Sequence, residues 1–135
     1  MKINKKIYDT ILSKYEELIL GKHLSEAWIN DPKHVLFTLS RYKFVSKLLE
    51  GYNKVLEVGA GDGFQSRLVA KSVKRLDLSD IELANKKYFS KIKFNKNKYF
   101  LHDFTKQQTK EKYDAIYSID VIEHISPKKA VFFIK

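Results

Sequence analysis

The sequence predicts an α/β domain built on a parallel sheet and preceded by N-terminal helices, and three observations carry that expectation. At about residue 51 the apolar spacing changes from a helical period to short strand-like runs. Those runs alternate with helical segments, the pattern of βαβ units whose parallel strands are joined by right-handed crossovers. The first run, KVLEV at 54–58, is buried-strand material in Val55, Leu56 and Val58 and is stopped by Gly59, Gly61 and Gly63 at alternate positions. Glycine accepts φ > 0 and lets the backbone approach a bound molecule without a Cβ in the way, so this turn is either tight or a ligand cradle.

The elements follow in order. Residues 3–20 place Ile3, Ile7, Ile11, Leu12, Tyr15, Leu18 and Ile19 at helical spacing, with Gly21 as a C-terminal stop. After a turn at Asn30-Asp31-Pro32, a second amphipathic helix carries Val35, Leu36, Leu39, Tyr42, Val45, Leu48 and Leu49 and is closed by Gly51. Strands are expected at 54–58, 73–78, 98–102 and 114–119, and helical segments near 64–71, 80–90 and 127–135. With no internal repeat or linker, residues 1–135 read as one domain, with N-terminal helices over 1–50 and the sheet over 51–135.

Composition narrows the function classes. A chain of 135 residues with 44% hydrophobic content can bury a core. It has no cysteine, so a disulfide framework and a thiolate metal site are excluded and no metal is expected. The opening lacks the apolar core of a signal peptide, and no apolar run approaches the roughly 18 residues of a membrane span, which makes a cytoplasmic protein the expectation. The net charge of +10 invites a nucleic-acid reading. Against it, arginine occurs only at 41, 67 and 75, and the lysines are spread along the chain. The densest basic and aromatic stretch, 85–100, reads equally as a solvated surface.

In open α/β sheets ligands lie beyond the carboxyl ends of the strands. The four ends carry Glu57 with the glycine turn, then Asp77, then Asp103, then Asp120 with Glu123 and His124. A dinucleotide fingerprint fails because its third glycine would fall at Phe64, and there is no triphosphate-binding loop. What remains is E-x-G-x-G-x-G followed about 20 residues after its acid by Asp77, a carboxylate able to accept both hydroxyls of a ribose. The ligand reads as a nucleoside without a diphosphate.

EVGAGDG at 57–63, LDLSD at 76–80, FLHDF at 100–104 and YDAIYSIDVIEHI at 113–125 resemble, in order, the motifs of class I S-adenosylmethionine-dependent methyltransferases. The likeness is greatest to the small-molecule branch, whose fourth strand ends in D-V-[LI]-E-H, and it covers roughly residues 35–130. It implies a Rossmann-like sheet, S-adenosylmethionine as cofactor with S-adenosylhomocysteine as product, and methyl transfer to a small-molecule acceptor. Carried over, Gly59, Ala60, Gly61 and Gly63 form the turn beneath the methionine part, with Glu57 near its amino group. Asp77 takes the ribose hydroxyls with Leu78 beside the adenine, and Asp103 accepts from the adenine amine with Phe104 lining the ring. Asp120 stands opposite the sulfonium. His124 is the candidate base, with helix capping as the alternative. Arg41 and Tyr42 are candidates for the cofactor carboxylate, with solvent and core packing as their respective alternatives.

The chain departs from the family in two ways. The interval from the glycine turn to Asp77 is short, so a clipped first crossover helix is expected. The sequence also stops in the helix after strand four, so the family's strands 5–7 are expected to be absent and the bare fourth strand to pair with a second chain as a homodimer. Two rival functions remain: a non-catalytic fragment that binds the cofactor, and a nucleic-acid methyltransferase, although IDVIEH stands where base-modifying enzymes carry [DNS]-P-P-[YFW].

Overall fold

The computed structural model describes residues 21–82, 85 and 97–134. The helix expected over 3–20, most of the segment 80–90 and most of the basic stretch 85–100 lie outside the described residues. In chain order the elements are α1 (Lys22–Asn30), α2 (Pro32–Leu48), β1 (Lys54–Val58), α3 (Arg67–Ala70), β2 (Arg75–Asp80), β3 (Tyr99–Leu101), β4 (Ala115–Tyr117), a 3-10 turn (Ile122–His124) and α4 (Pro127–Ile134). The four strands form one parallel sheet in the order β3-β2-β1-β4.

Helix α1 was not expected. Leu24, Ala27 and Trp28 have helical spacing, but the segment is only nine residues long; of its described side chains only Leu24 is deeply buried, and Trp28 and Ile29 face solvent. Helix α2 starts as expected, with Pro32 in its first turn and the Asp31 carboxylate accepting from His34 N–H.

The central strands β1 and β2 are buried on both sides, as strands of parallel sheets are. Alternate residues of β1 feed two cores. Val55 joins Tyr42, Leu49, Val69, Val73, Leu76 and Leu78 under α2 and α3, and Leu56 and Val58 join Phe104 on the other side, with Phe133 of α4 packed against them. Strand β1 matches its expected bounds, and β3 and β4 fall inside theirs. The crossover helix α3 is only four residues long, as the short interval implied.

The second strand differs from expectation. Pairing begins at Lys54 opposite Arg75 and ends at Val58 opposite Ser79, so the strand runs 75–80 where 73–78 was expected. The polar pair Ser79 and Asp80 remains in the strand because the glycine turn supplies its partners. Ser79 carbonyl accepts from Gly59 and Ala60 N–H, and Asp80 Oδ2 accepts from Gly61 N–H at 2.8 Å. Among the described residues β3 and β4 are the two edges of the sheet, and Ile116 of β4 is 56% exposed.

Candidate functional site

The site lies at the carboxyl edge of the sheet, built on the turn that ends β1. Gly59, Gly61 and Gly63 all have positive φ. At Gly59 a Cβ would stand 2.3 Å from Val121 Cγ2, so the segment after β4 packs directly on the turn. At Gly61 a Cβ would meet nothing within 4 Å, which leaves the turn open to a ligand there.

The two-residue shift of β2 changes which acid stands at this edge. Asp77 is fully buried and lines neither cavity at the edge. Arg75, two residues earlier and so on the same face of the strand, donates to it from Nε at 2.9 Å and from the guanidinium end at 2.8 Å. Lys98 N–H and the Tyr113 hydroxyl supply two more donors. Leu78 is likewise fully buried in the core. The acid at the strand end is Asp80, whose Oδ1 accepts from Glu82 N–H while Oδ2 holds Gly61, and the apolar residue beside it is the exposed Ile81. The spacing held a signal for this: Asp80 lengthens by three residues the interval that was short to Asp77.

Glu57 is also withdrawn from the edge. It is fully buried, and its two oxygens accept from the Tyr42 hydroxyl at 2.6 Å and the Tyr117 hydroxyl at 2.7 Å. Ser66 lies close enough to help hold the charge but makes no hydrogen bond of normal geometry. Burial raises the Glu57 carboxyl above its ordinary 4.5, and the neighbouring hydroxyls only partly oppose this. Burial, then the Glu57 charge, raises both tyrosines in turn. A carboxyl raised by folding keeps a proton that the unfolded chain releases, so its contribution to stability is complete below about pH 4.5 and is lost as pH rises through the folded value. Denaturant melts of the wild type and Glu57→Gln should therefore diverge to the wild type's disadvantage between pH 4 and pH 7. A pH-independent difference would show that the two tyrosines cancel the cost of burial.

A cavity of about 600 Å³ opens beside the turn, bounded by Gly59, Asp80, Ile81, Asp103, Phe104, Asp120 and His124 among others. Asp103 follows β3 by two residues and accepts from the Thr105 backbone and hydroxyl, with Lys106 Nζ at 3.0 Å. Those contacts, the Thr105 hydroxyl first, hold its carboxyl at about 2, so it is ionised throughout the neutral range. Phe104 is 6% exposed and meets the His102 ring edge-on at 4.4 Å between centroids, so the two rings brace one wall.

A second cavity, of about 380 Å³, lies on the other side of Gly59 and is bounded by α1, α2 and the turn. Gly59, Asp120 and His124 border both cavities, and Ala60, Gly61 and Asp62 border the second. Asp120 has φ 55, a left-handed conformation that aspartate tolerates better than most residues and that clusters at functional sites. Its carboxylate is ion-paired with the Arg41 guanidinium of α2, both about half exposed. His124, in the 3-10 turn, is exposed at the shared border. Of the two cationic and phenolic candidates on α2, Tyr42 is thus a core residue and Arg41 an edge residue. Gly63 is buried within the turn, its N–H donating to the Ala60 carbonyl.

Among the described residues no helix is long and apolar enough to cross a membrane. No curated protein matches the sequence. Several solved structures share the fold. The DhpI–SAM–HEP complex aligns with TM-score 0.67 and 13% identity over 98% of this chain and 60% of that one. The N-methyltransferase NodS from Bradyrhizobium japonicum WM9, in complex with S-adenosyl-L-homocysteine, aligns with TM-score 0.67 and 15% identity over 94% and 63%. The methyltransferase domain of bacterial CtHen1 aligns with TM-score 0.62 and 21% identity over 71% and 56%. The chain spans about 60% of the length of DhpI, and at these identities the likeness is one of fold. A family model described as a methyltransferase domain matches residues 22–132, most of the chain, and the chain belongs to that family.

Proposed function

We propose that the protein binds S-adenosylmethionine across the two cavities and takes part in methyl transfer to a small-molecule acceptor. The observation that carries this reading is the bond between Asp80 and Gly61 N–H, which makes the acid at the end of β2 and the glycine turn one rigid unit beside Asp103 and Phe104. The open space over Gly61 fits a ligand passing from one cavity to the other.

In this reading Asp80 receives the ribose hydroxyls, Ile81 and Phe104 flank the adenine, and ionised Asp103 accepts from its amine. The bound cofactor supplies an electrophilic methyl group on a positively charged sulfur, so the protein contributes alignment and exclusion of water. Asp120 and His124 stand at the shared border, where an acceptor would meet the methyl. The His124 imidazole takes the proton of a hydroxyl or amine acceptor. Arg41, already on Asp120, orients that carboxylate. IDVIEH after β4 favours a small acceptor over a nucleic acid. Pairing with a second chain along β4 belongs to the same reading, since among the described residues β4 is paired with β1 alone.

Isothermal titration tests the core of the proposal. S-adenosylhomocysteine and S-adenosylmethionine should both bind, and NAD should bind far more weakly. Binding of NAD with comparable affinity, or of neither adenosyl compound, would overturn it.

A further inference from the structure

Asp62, the fourth residue of GAGDG, is 2% exposed. Its Oδ1 accepts from Phe64 N–H at 3.1 Å, while its Oδ2 has no hydrogen-bond partner among the described residues. A buried carboxylate oxygen left unpaired is costly, and the most direct remedy is a cation. Gly21, at the start of α1, lies over that oxygen. A Cβ there would stand 2.0 Å from Oδ2, so the cover excludes water yet offers no donor. Asp62 borders the second cavity and directly follows Gly61, whose N–H is held by Asp80 and over which the space is open.

Resting on the cofactor reading above, the geometry points to Asp62 Oδ2 as the counter-ion of the cofactor's α-ammonium group. A ligand whose ribose is held by Asp80 crosses Gly61 and brings its amino-acid end to Asp62 as Gly21 yields. Glu57, the residue expected from the sequence to serve that group, is unsuited to it: it is fully buried and borders neither cavity. The competing role for Asp62 is purely structural, a negative charge at the positive end of α1.

Titration of the full chain with three ligands separates these roles: S-adenosylhomocysteine, its analogue lacking the amino group, and 5′-methylthioadenosine, which lacks the whole amino-acid part. The near-isosteric Asp62→Asn keeps the Phe64 bond, and should bind S-adenosylhomocysteine at least tenfold more weakly than wild type while binding 5′-methylthioadenosine within twofold of it. On the wild type alone, loss of the amino group should cost at least tenfold, and on the variant close to nothing. If the wild type binds the deaminated analogue as well as S-adenosylhomocysteine, the assignment to Asp62 is overturned even should the variant fail to fold. An equal loss for all three ligands in the variant would show that Asp62 only supports the turn. Failure of the wild type to bind any of the three would instead remove the cofactor reading itself.

Discussion

Asp80→Asn is expected to weaken S-adenosylhomocysteine binding at least tenfold and to leave most of the fold's stability in place. Each charge-assisted hydrogen bond from a ribose hydroxyl is worth about 1.5–3 kcal/mol, and a loss of about 1.4 kcal/mol is already tenfold. The side chain also holds Gly61 and Glu82 N–H, so the amide, which still offers one acceptor oxygen, is a gentler probe of the turn than alanine. Calorimetric titration of the variant checks the expectation. An unchanged dissociation constant would mean that the nucleoside does not lie against β2.

Asp77→Ala should do the reverse. Its carboxylate satisfies Arg75, Lys98 N–H and the Tyr113 hydroxyl from a fully buried position. Removing one partner of a buried ion pair costs about 3–5 kcal/mol. Arg75 keeps a third of its side chain in water, so about 3 kcal/mol is the expected loss. That is a large part of the stability of a domain this size. Chemical denaturation should show it as a lowered midpoint with an unchanged slope, and cofactor affinity measured on the folded fraction should hold within about threefold. A variant as stable as wild type but unable to bind S-adenosylhomocysteine would return the ribose to Asp77.

The contrast between these two acids shows how far the sequence could be read. Both lie in LDLSD, and nothing local separates them: each follows an apolar or small residue and precedes more chain of the same kind. Composition placed the strand end after Leu78, because Ser79 and Asp80 look like the start of a loop. Yet R-x-D at 75–77 was a usable signal, since residues two apart share a strand face and a buried acid needs such a partner. Helix α1 is harder to read for a different reason: its nine residues are too few for the spacing of Leu24, Ala27 and Trp28 to stand out between Gly21 and Pro32. Glu57 was found but its surroundings were not. Its hydroxyl partners, Tyr42 and Tyr117, come from positions 15 and 60 residues away.

By itself the sequence determined the parallel α/β class, the place of the first strand and the glycine turn. These follow from local chemistry: β-branched and aliphatic runs too short for helices, glycines where the backbone turns left-handed, and an alternation of periods that admits few topologies. Which acids face the cleft was settled only in three dimensions. The register of β2 against β1 is set by pairing across the crossover, and it carries Asp80 to the edge while leaving Asp77 three residues inside. Burial then sorted the carboxylates by the partners available. Glu57 and Asp77 met enough donors to be enclosed, whereas Asp62 was enclosed with one oxygen unmatched. Apart from Arg75 on Asp77, such matching depends on residues distant in the chain, which no local pattern encodes.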